Sequence, residues 1–473
     1  MSDRPGRYDV AIIGAGTAGL TARSTVAKET DNYVVIDNGT LGTTCARVGC
    51  MPSKALIEVA NAWHRQQWLE EIDVARPARV PPDGRKVMAH VRNLRDRFAG
   101  GVVKGMTQWR DHLIQKKARF VDGNTLDLGD ETIVADKIII ATGSKPVRPD
   151  QWRPYEKYLI DTDSFFELPD LPQRIAVFGL GMVGIELGQA LARLGVDVTG
   201  ITLDKAVAGL TDPDLQAYAW HLFSGEMAMH MGRAEIIGET AGGLEVGCNG
   251  KTWVVDKVLL TLGRAPSVSN LGLENLGVTL DKNGMPAFDP ATLQLQNLPV
   301  FIAGDANGMR PILHEAADEG HIAGHNAVAP DVNCFQKRIS MSIAFTAPNT
   351  AVIGKSYRLL KEEEADFVVG EAEFEHQGRA LMMGRNNGMI HIYGEQSNGR
   401  LLGVELILPA GEHVAHLLAW ILSLEAPVKK LLSLPFYHPT LEEGLRKAIR
   451  DLISQTAEEK PAMEILRCQD TPV

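Results

Sequence analysis

Cys45 and Cys50 stand five positions apart in Gly42-Thr-Thr-Cys45-Ala-Arg-Val-Gly-Cys50-Met-Pro-Ser-Lys54, at the entry to an expected helix. Two thiols so spaced can close to a disulfide if the chain curves there, because the Cα atoms must approach to roughly 4.4–6.8 Å. Pro52 suits a first helical turn. A helix N-terminus favours a thiolate, and Arg47 and Lys54 are nearby cations that would favour it further. Zinc binding is a rival, but it needs two more ligands, and Cys248, Cys334 and Cys468 are isolated. No metal site is therefore expected. Two inert core cysteines are the other alternative.

Redox work needs an electron carrier, and the dithiol has one candidate cradle about thirty residues upstream. Tyr8 to Ile13 reads as a buried strand, Gly14-Ala-Gly16-Thr-Ala-Gly19 opens a helix, and Tyr33-Val-Val-Ile-Asp37 is a strand ending in an acid. That order is expected of a Rossmann-like dinucleotide unit, with the pyrophosphate at the helix N-terminus and the acid on a ribose. A solvated strand-end acid is the plainer alternative for Asp37. The pattern recurs: a strand from Arg174 leads to Gly179-Leu-Gly181-Met-Val-Gly184, and Val196 to Leu203 forms the next strand. Two units imply two dinucleotides. Thr202 and Lys205 occupy the second strand end, where no carboxylate stands, so NAD and NADP both remain open.

Other strands end in turns suited to a cofactor. Lys137 to Ile140 leads to Ala141-Thr142-Gly143, Lys257 to Leu262 leads to Gly263-Arg264, and Val300 to Ala303 leads to Gly304-Asp305. Asp305 could meet a ribose or ribityl hydroxyl, or simply close a turn. His314 follows that turn. From about residue 346 alternating strands and a helix at 413–424 predict an α+β domain with no nucleotide loop. Near its end, His438-Pro-Thr440-Leu-Glu442-Glu443 offers a base with the right intrinsic pKa and a carboxylate to orient it. Thr440-x-x-Glu443 is equally a capping box.

The 473 residues suggest about three domains. A net charge of −11 argues against wholesale nucleic-acid binding, and no run of about 18 apolar residues predicts a membrane span. Five cysteines and no signal-peptide pattern point to a reducing, cytoplasmic setting.

Taken together, these motifs resemble the pyridine nucleotide-disulfide oxidoreductase family across essentially the whole chain, and most of all its dihydrolipoamide-oxidising branch. The resemblance implies an α/β fold with two Rossmann-like domains, an FAD-binding domain over 1–150 completed by about 265–345 and an NAD(P)-binding domain over 151–264. An α+β dimerisation domain would cover 346–473. It further implies an ion pair between Lys54 and Glu186 near the flavin, although Glu186 is otherwise an ordinary first-turn helix acid. Cys45 would meet substrate, Cys50 would meet FAD, and His438 with Glu443 would complete the partner subunit's site in a homodimer. The implied reaction oxidises dihydrolipoamide on a lipoyl-bearing carrier protein and reduces NAD. NAD(P)H-dependent reduction of another disulfide, such as that of glutathione, and a redox-sensing flavoprotein without turnover are the competing functions. The chain departs from the family pattern at Thr43 (a glycine), Arg47 (an asparagine), Thr202 (an acid) and Phe436 (a histidine). Arg47 is expected either to lower the thiol pKa or favour an acidic partner, or to point into solvent.

Overall fold

The computed structural model describes residues 6–74, 80–457 and 463–465. Cys468 lies outside them. The chain begins with strand β1 (Arg7–Ile13), helix α1 (Thr17–Val26) and β2 (Tyr33–Ile36). Two helices carry the cysteines, α2 (Thr44–Val48) and α3 (Cys50–Glu71), and α4 (Gly84–Met106) follows. Strands β3 (Leu113–Ile114), β4 (Arg119–Phe120), β5 (Thr125–Asp127) and β6 (Thr132–Ile140) complete the order β3-β2-β1-β6-β5-β4. β1, β2 and β3 are mutually parallel and dense in Val and Ile, as strands covered on both faces must be. β6 is long because it serves three partners: its first residues close a hairpin with β5, and along its length and at its end it runs parallel to β1 and to a later strand.

Short strands β7 (Ser144–Pro146) and β8 (Leu159–Ile160) and helix α5 (Thr162–Phe165) lead into a second parallel sheet. It comprises β9 (Arg174–Phe178), β10 (Asp197–Thr202), β11 (Ala228–Met231) and, after an antiparallel three-stranded excursion of β12 (Glu235–Thr240), β13 (Gly243–Cys248) and β14 (Lys251–Val255), strand β15 (Lys257–Leu260). Its order is β11-β10-β9-β15-β8, with α6 (Met182–Arg193) and α7 (Pro213–Ser224) as its helices. β16 (Arg264–Pro266) pairs back onto β7. The chain then returns to the first sheet: β17 (Val300–Ile302) adds beside β6, and α8 (Leu313–Val328) packs on α1.

Small residues set that last contact. A Cβ on Gly320 would lie 2.0 Å from Thr21 Oγ1 and 2.3 Å from the Ala18 carbonyl, and one on Gly324 would lie 2.7 Å from the Ala22 carbonyl. The two helices therefore touch backbone to side chain, which fixes the turn after β17 against the first glycine loop.

The remainder is an antiparallel sheet in the order β18-β19-β22-β21-β20, formed by β18 (Met341–Ala344), β19 (Asn349–Gly354), β20 (Phe367–Glu373), β21 (Met389–Glu395) and β22 (Leu401–Leu408). Short helices α9 (Tyr357–Glu362) and α10 (Gly378–Met382) lie between strands, and α11 (Gly411–Ser423), α12 (Val428–Leu432) and α13 (Glu443–Gln455) follow. One core spans the parts: Leu56, Ile57 and Ala60 of α3 and Met88 and Val91 of α4 pack with Val177, Ile185 and Leu259 of the second sheet region, and with Ala344 and Ile407. The dithiol helix thus packs against α6, the helix that the second glycine loop opens. Among the described residues no helix is long and apolar enough to cross a membrane.

Two glycine substitutions separate packing from propensity. Gly320→Ala is expected to lower stability by at least about 2 kcal/mol, because backbone must move. Gly101→Ala, where a Cβ on exposed α4 meets nothing within 4 Å, is expected to raise it by about 0.5–1 kcal/mol. Urea unfolding midpoints of the two variants check both signs.

Candidate active site

Cys45 lies in α2, and Cys50 opens α3. Thr43 caps α2, its hydroxyl accepting the Ala46 N–H at 3.3 Å. It does so at φ 57°, a left-handed conformation that disfavours a β-branched residue and explains why glycine suits this place. Both cysteines are free thiols. The Cys45 thiol donates a hydrogen bond to the Cys50 sulfur, and that bond brings the Cys50 pKa down to about 7. Lys54, one turn further along α3, lowers it too, against burial, which raises it. The same bond, with burial, pushes Cys45 up. The first proton therefore leaves from Cys50.

Lys54 is itself positioned from the second unit. Its Nζ lies 2.8 and 3.0 Å from the Glu186 carboxylate oxygens and 4.6 Å from the Phe345 ring centre. Glu186, on α6, is only 4% exposed and also accepts the Phe345 N–H at 2.7 Å. Leaving either charge alone there would cost about 3–5 kcal/mol. Arg47 is half-buried and does not point freely into solvent. Its stem packs against Gly42, its Nε is buried without a partner, and Lys54 is the cation that lowers both thiols.

The two glycine loops have one architecture. Gly14 donates to the Ile36 carbonyl at 2.7 Å, and Gly179 donates to that of Ile201 at 2.8 Å. Both hold positive φ, 111° and 96°, which a side chain would oppose. A Cβ on Gly19 would sit 1.9 Å from the Gly14 carbonyl oxygen, and one on Gly184 would sit 1.9 Å from that of Gly179. By contrast, Gly16 and Gly181 precede their helices with no side-chain cap and with nothing within 4 Å of a Cβ. The outer glycines are thus required by protein packing, while the middle ones leave room for a pyrophosphate at a helix N-terminus. Gly143 and Gly263 are similarly open.

Three buried polar atoms fit a cofactor on the first unit. Thr142 Oγ1, at the end of β6, His314 Nε2, at the start of α8, and Arg47 Nε have no hydrogen-bond partner. Buried orphans of this kind are rare in folded proteins. The Asp37 carboxylate accepts the N–H groups of Ala15 and Gly39, both at 2.6 Å, so it braces the first loop and keeps lone pairs for a ribose. Asp305 accepts from Ser144 Oγ at 2.6 Å, and that hydroxyl accepts from Arg264 Nε at 2.8 Å. The Arg264 guanidinium also donates to the Ser144 carbonyl and to Thr162 Oγ1. Arg264 and Asp305 thereby couple the turns of the two units.

Sequence inspection missed several supporting groups. Glu319, buried on α8, holds the Gly304 N–H at 2.7 Å, Asn307 at 2.6 Å and Lys337 at 2.5 Å. Nothing marks it in the sequence except an acid on an otherwise apolar helix face. Phe345 and Thr346 are likewise unmarked, yet with Lys54, Asn61, His64 and Trp68 they line a cavity of about 460 Å³ beside the ion pair.

His438 is 79% exposed, and its Nδ1 meets Glu443 Oε1 and Oε2 at 3.0 and 3.1 Å. This contact, and then the Thr440 N–H at 3.2 Å, holds the Glu443 carboxyl below the usual range. Glu443 therefore orients the imidazole. The capping box does not form, because α13 begins at Glu443 after Glu442, and Thr440 Oγ1 donates to the Tyr437 carbonyl. Within one chain His438 bonds Glu443, and Cys45 bonds Cys50. No hydrogen bond joins the two pairs among the described residues.

Two dinucleotide cradles and a polarised dithiol in one chain define a nucleotide-dependent thiol oxidoreductase. The chain belongs to the pyridine nucleotide-disulphide oxidoreductase family: the family model matches residues 8–320, and the model of its dimerisation domain matches 340–449. It is 29% identical to the dihydrolipoyl dehydrogenase of Bacillus subtilis, covering 94% of this chain and 98% of that protein. It is 30% identical to the mitochondrial dihydrolipoyl dehydrogenase of Rattus norvegicus, covering 94% and 91%. Among solved structures, LpdA of Mycobacterium tuberculosis matches with a TM-score of 0.81 at 22% identity over 94% of this chain and 99% of that one. The HOCl-induced flavoprotein disulfide reductase RclA of Escherichia coli matches with a TM-score of 0.79 at 21% identity over 94% and 99%. These two share the fold. Membership implies FAD and a nicotinamide dinucleotide, which the open loops and orphaned groups accommodate.

The thiol hydrogen bond is directly testable. Iodoacetamide alkylation of Cys50 in the Cys45→Ser variant, where a hydroxyl keeps the donor, is expected to fall off as pH drops through about 7. In Cys45→Ala the profile moves to higher pH. Coincident profiles for the two variants would remove Cys45 as the cause.

Proposed function

We propose that the protein oxidises dihydrolipoamide, presented by a lipoyl-bearing carrier protein, and passes the electrons to a nicotinamide dinucleotide. The observation that carries this reading is the lowered Cys50 thiol, paired with a raised Cys45 and backed by Lys54–Glu186, in a chain with two dinucleotide loops. The choice of substrate is supported by the roughly 30% identity to dihydrolipoyl dehydrogenases along nearly the whole chain.

In the oxidised enzyme Cys45 and Cys50 are joined. His438 of the second subunit of a homodimer faces Cys45; its Nδ1–H is held by Glu443, leaving Nε2 to accept a proton. One substrate thiol gives Nε2 its proton, and the resulting thiolate attacks Cys45 Sγ. The protein disulfide breaks, and Cys50 leaves as a thiolate, the charge state its surroundings favour. The second substrate thiol then displaces Cys45, which takes up a proton, and lipoamide departs with its own disulfide closed. The protein dithiol thereby gains the two electrons that the substrate loses. FAD, when bound along the first loop by Gly14, Gly16, Gly19, Asp37, Thr142 and Asp305, supplies the two-electron relay between a thiolate and a nicotinamide ring. Lys54 keeps positive charge where Cys50 ionises, and the second loop, Gly179, Gly181 and Gly184, seats the dinucleotide.

Two measurements test this. His438→Gln is expected to lower kcat for dihydrolipoamide by about 10²–10⁴-fold with FAD retained, the usual size of a lost general base. Co-expressing Cys45→Ser chains with His438→Gln chains is expected to restore activity in the mixed dimer, because one of its two sites then has both groups intact. No recovery, in dimers shown to be mixed, rules out a shared site. Normal turnover by Cys45→Ser rules out the exchange sequence.

A further inference from the structure

We infer that the second dinucleotide unit selects a nucleotide bearing a 2′-phosphate on its adenosine ribose, NADP(H) rather than NAD(H), through Thr202, Lys205 and Arg233. The inference rests on the second loop being the nicotinamide dinucleotide site. The chain supplies its own internal reference. Gly14 bonds the carbonyl of Ile36, and Gly179 bonds that of Ile201, so the two units superpose by hydrogen bond. Further strand pairs agree, since Ala141 N bonds Ile13 O and Thr261 N bonds Phe178 O. In this register the residue after Ile36 is Asp37, and the residue after Ile201 is Thr202.

That place is where a Rossmann unit reads the adenosine ribose: an acid there takes the free 2′-hydroxyl, whereas a nearby arginine accommodates a 2′-phosphate. In the first unit Asp37 is present, braced by Ala15 and Gly39. In the second, a neutral hydroxyl replaces it, and nothing repels a phosphate at that position. Two cations lie on the chain segments that meet at this strand end. Lys205 follows in the loop after β10. Arg233 follows β11, whose end is stitched to the same point by the bond from Gly232 N to Thr202 O at 2.8 Å. Both are exposed, and among the described residues neither is joined to an acid. The one acid in the loop, Asp204, turns its carboxylate back to the Ala206 N–H at 2.9 Å. A dianionic phosphate between Lys205 and Arg233 would receive charge-assisted hydrogen bonds from both, with the Thr202 hydroxyl as a neutral third donor.

Fragment binding tests the inference without reference to the disulfide substrate. In calorimetric titration of the holoenzyme, 2′,5′-ADP is expected to bind at least about tenfold more tightly than 5′-AMP, by an amount that shrinks as salt is added. Lys205→Ala with Arg233→Ala is expected to abolish the preference, the loss falling on 2′,5′-ADP and not on 5′-AMP. Thr202→Glu is expected to reverse it. As a second readout, anaerobic reduction of the bound flavin by NADPH is expected to show the higher kcat/KM, again by about tenfold. Equal binding of the two fragments, or tighter binding of 5′-AMP, overturns the inference. A preference that survives the double substitution overturns the assignment to these residues. A protein that prefers 2′,5′-ADP yet does not turn over dihydrolipoamide would refute the proposed substrate and leave this inference standing. A protein that binds neither fragment refutes both the second loop as a nucleotide site and the inference built on it.

Discussion

The ion pair between Lys54 and Glu186 is the contact on which the rest of the site depends. Its two residues lie 132 positions apart, Lys54 on the dithiol helix and Glu186 on the helix that the second glycine loop opens. Glu186 is almost fully buried and would be costly alone, so Lys54 must stay with it. That requirement fixes the rotation of α3, and with it the direction of Cys50, which begins the same helix one turn earlier. The pair also fixes the Phe345 backbone, through the bond from its N–H to Glu186. The dithiol is therefore clamped by both nucleotide units and by the entrance to the C-terminal sheet.

Electrostatics at the sulfurs follow from this clamp. One positive group on the Cys50 side and a thiol donor on the other make the two cysteines unequal before any substrate arrives. An unequal pair has a direction: the sulfur that holds its proton is suited to meet another thiol, and the one that loses it is suited to hold charge beside an acceptor. Arg47, though closer in sequence, lays its stem against Gly42, and Lys54 is a cation that lowers both thiols. The cation that matters is a helical turn away from Cys50 and pinned from the other unit.

A different kind of constraint shapes the nucleotide loops. In both, the first and third glycines are required by backbone packing, while the middle glycine faces open space. Periodic small residues between α1 and α8 apply the same rule on a larger scale, drawing the Gly304 turn up to the first loop. Buried Glu319 completes that arrangement by bonding the turn directly. A second buried acid, Glu405, does a comparable job at the C-terminal sheet: it accepts the N–H groups of Thr211 at 2.7 Å, Asp212 at 3.1 Å and Tyr357 at 2.9 Å, tying the start of α7 to β22.

Much of the fold was legible in the chain because its signals are local. The strands ending at Ile13 and Phe178 announce themselves as β-branched or aromatic runs before glycine, the one ending at Ile36 as such a run before an acid, and β22 reads directly from Leu401 to Leu408. The excursion of β12, β13 and β14 is not legible in the chain, because only β13 is well buried and the flanking β12 and β14 are largely exposed and carry little hydrophobic contrast. By itself the sequence determined the chemistry on offer: two thiols, two glycine loops, a histidine followed five residues later by an acid, and a second strand end without a carboxylate. Only the tertiary structure decided which groups act on which. Lys54 held by Glu186, Ser144 between Arg264 and Asp305, and Glu319 beneath the Gly304 turn are contacts between residues separated along the chain. They depend on helix rotation and burial, which no spacing along the chain encodes.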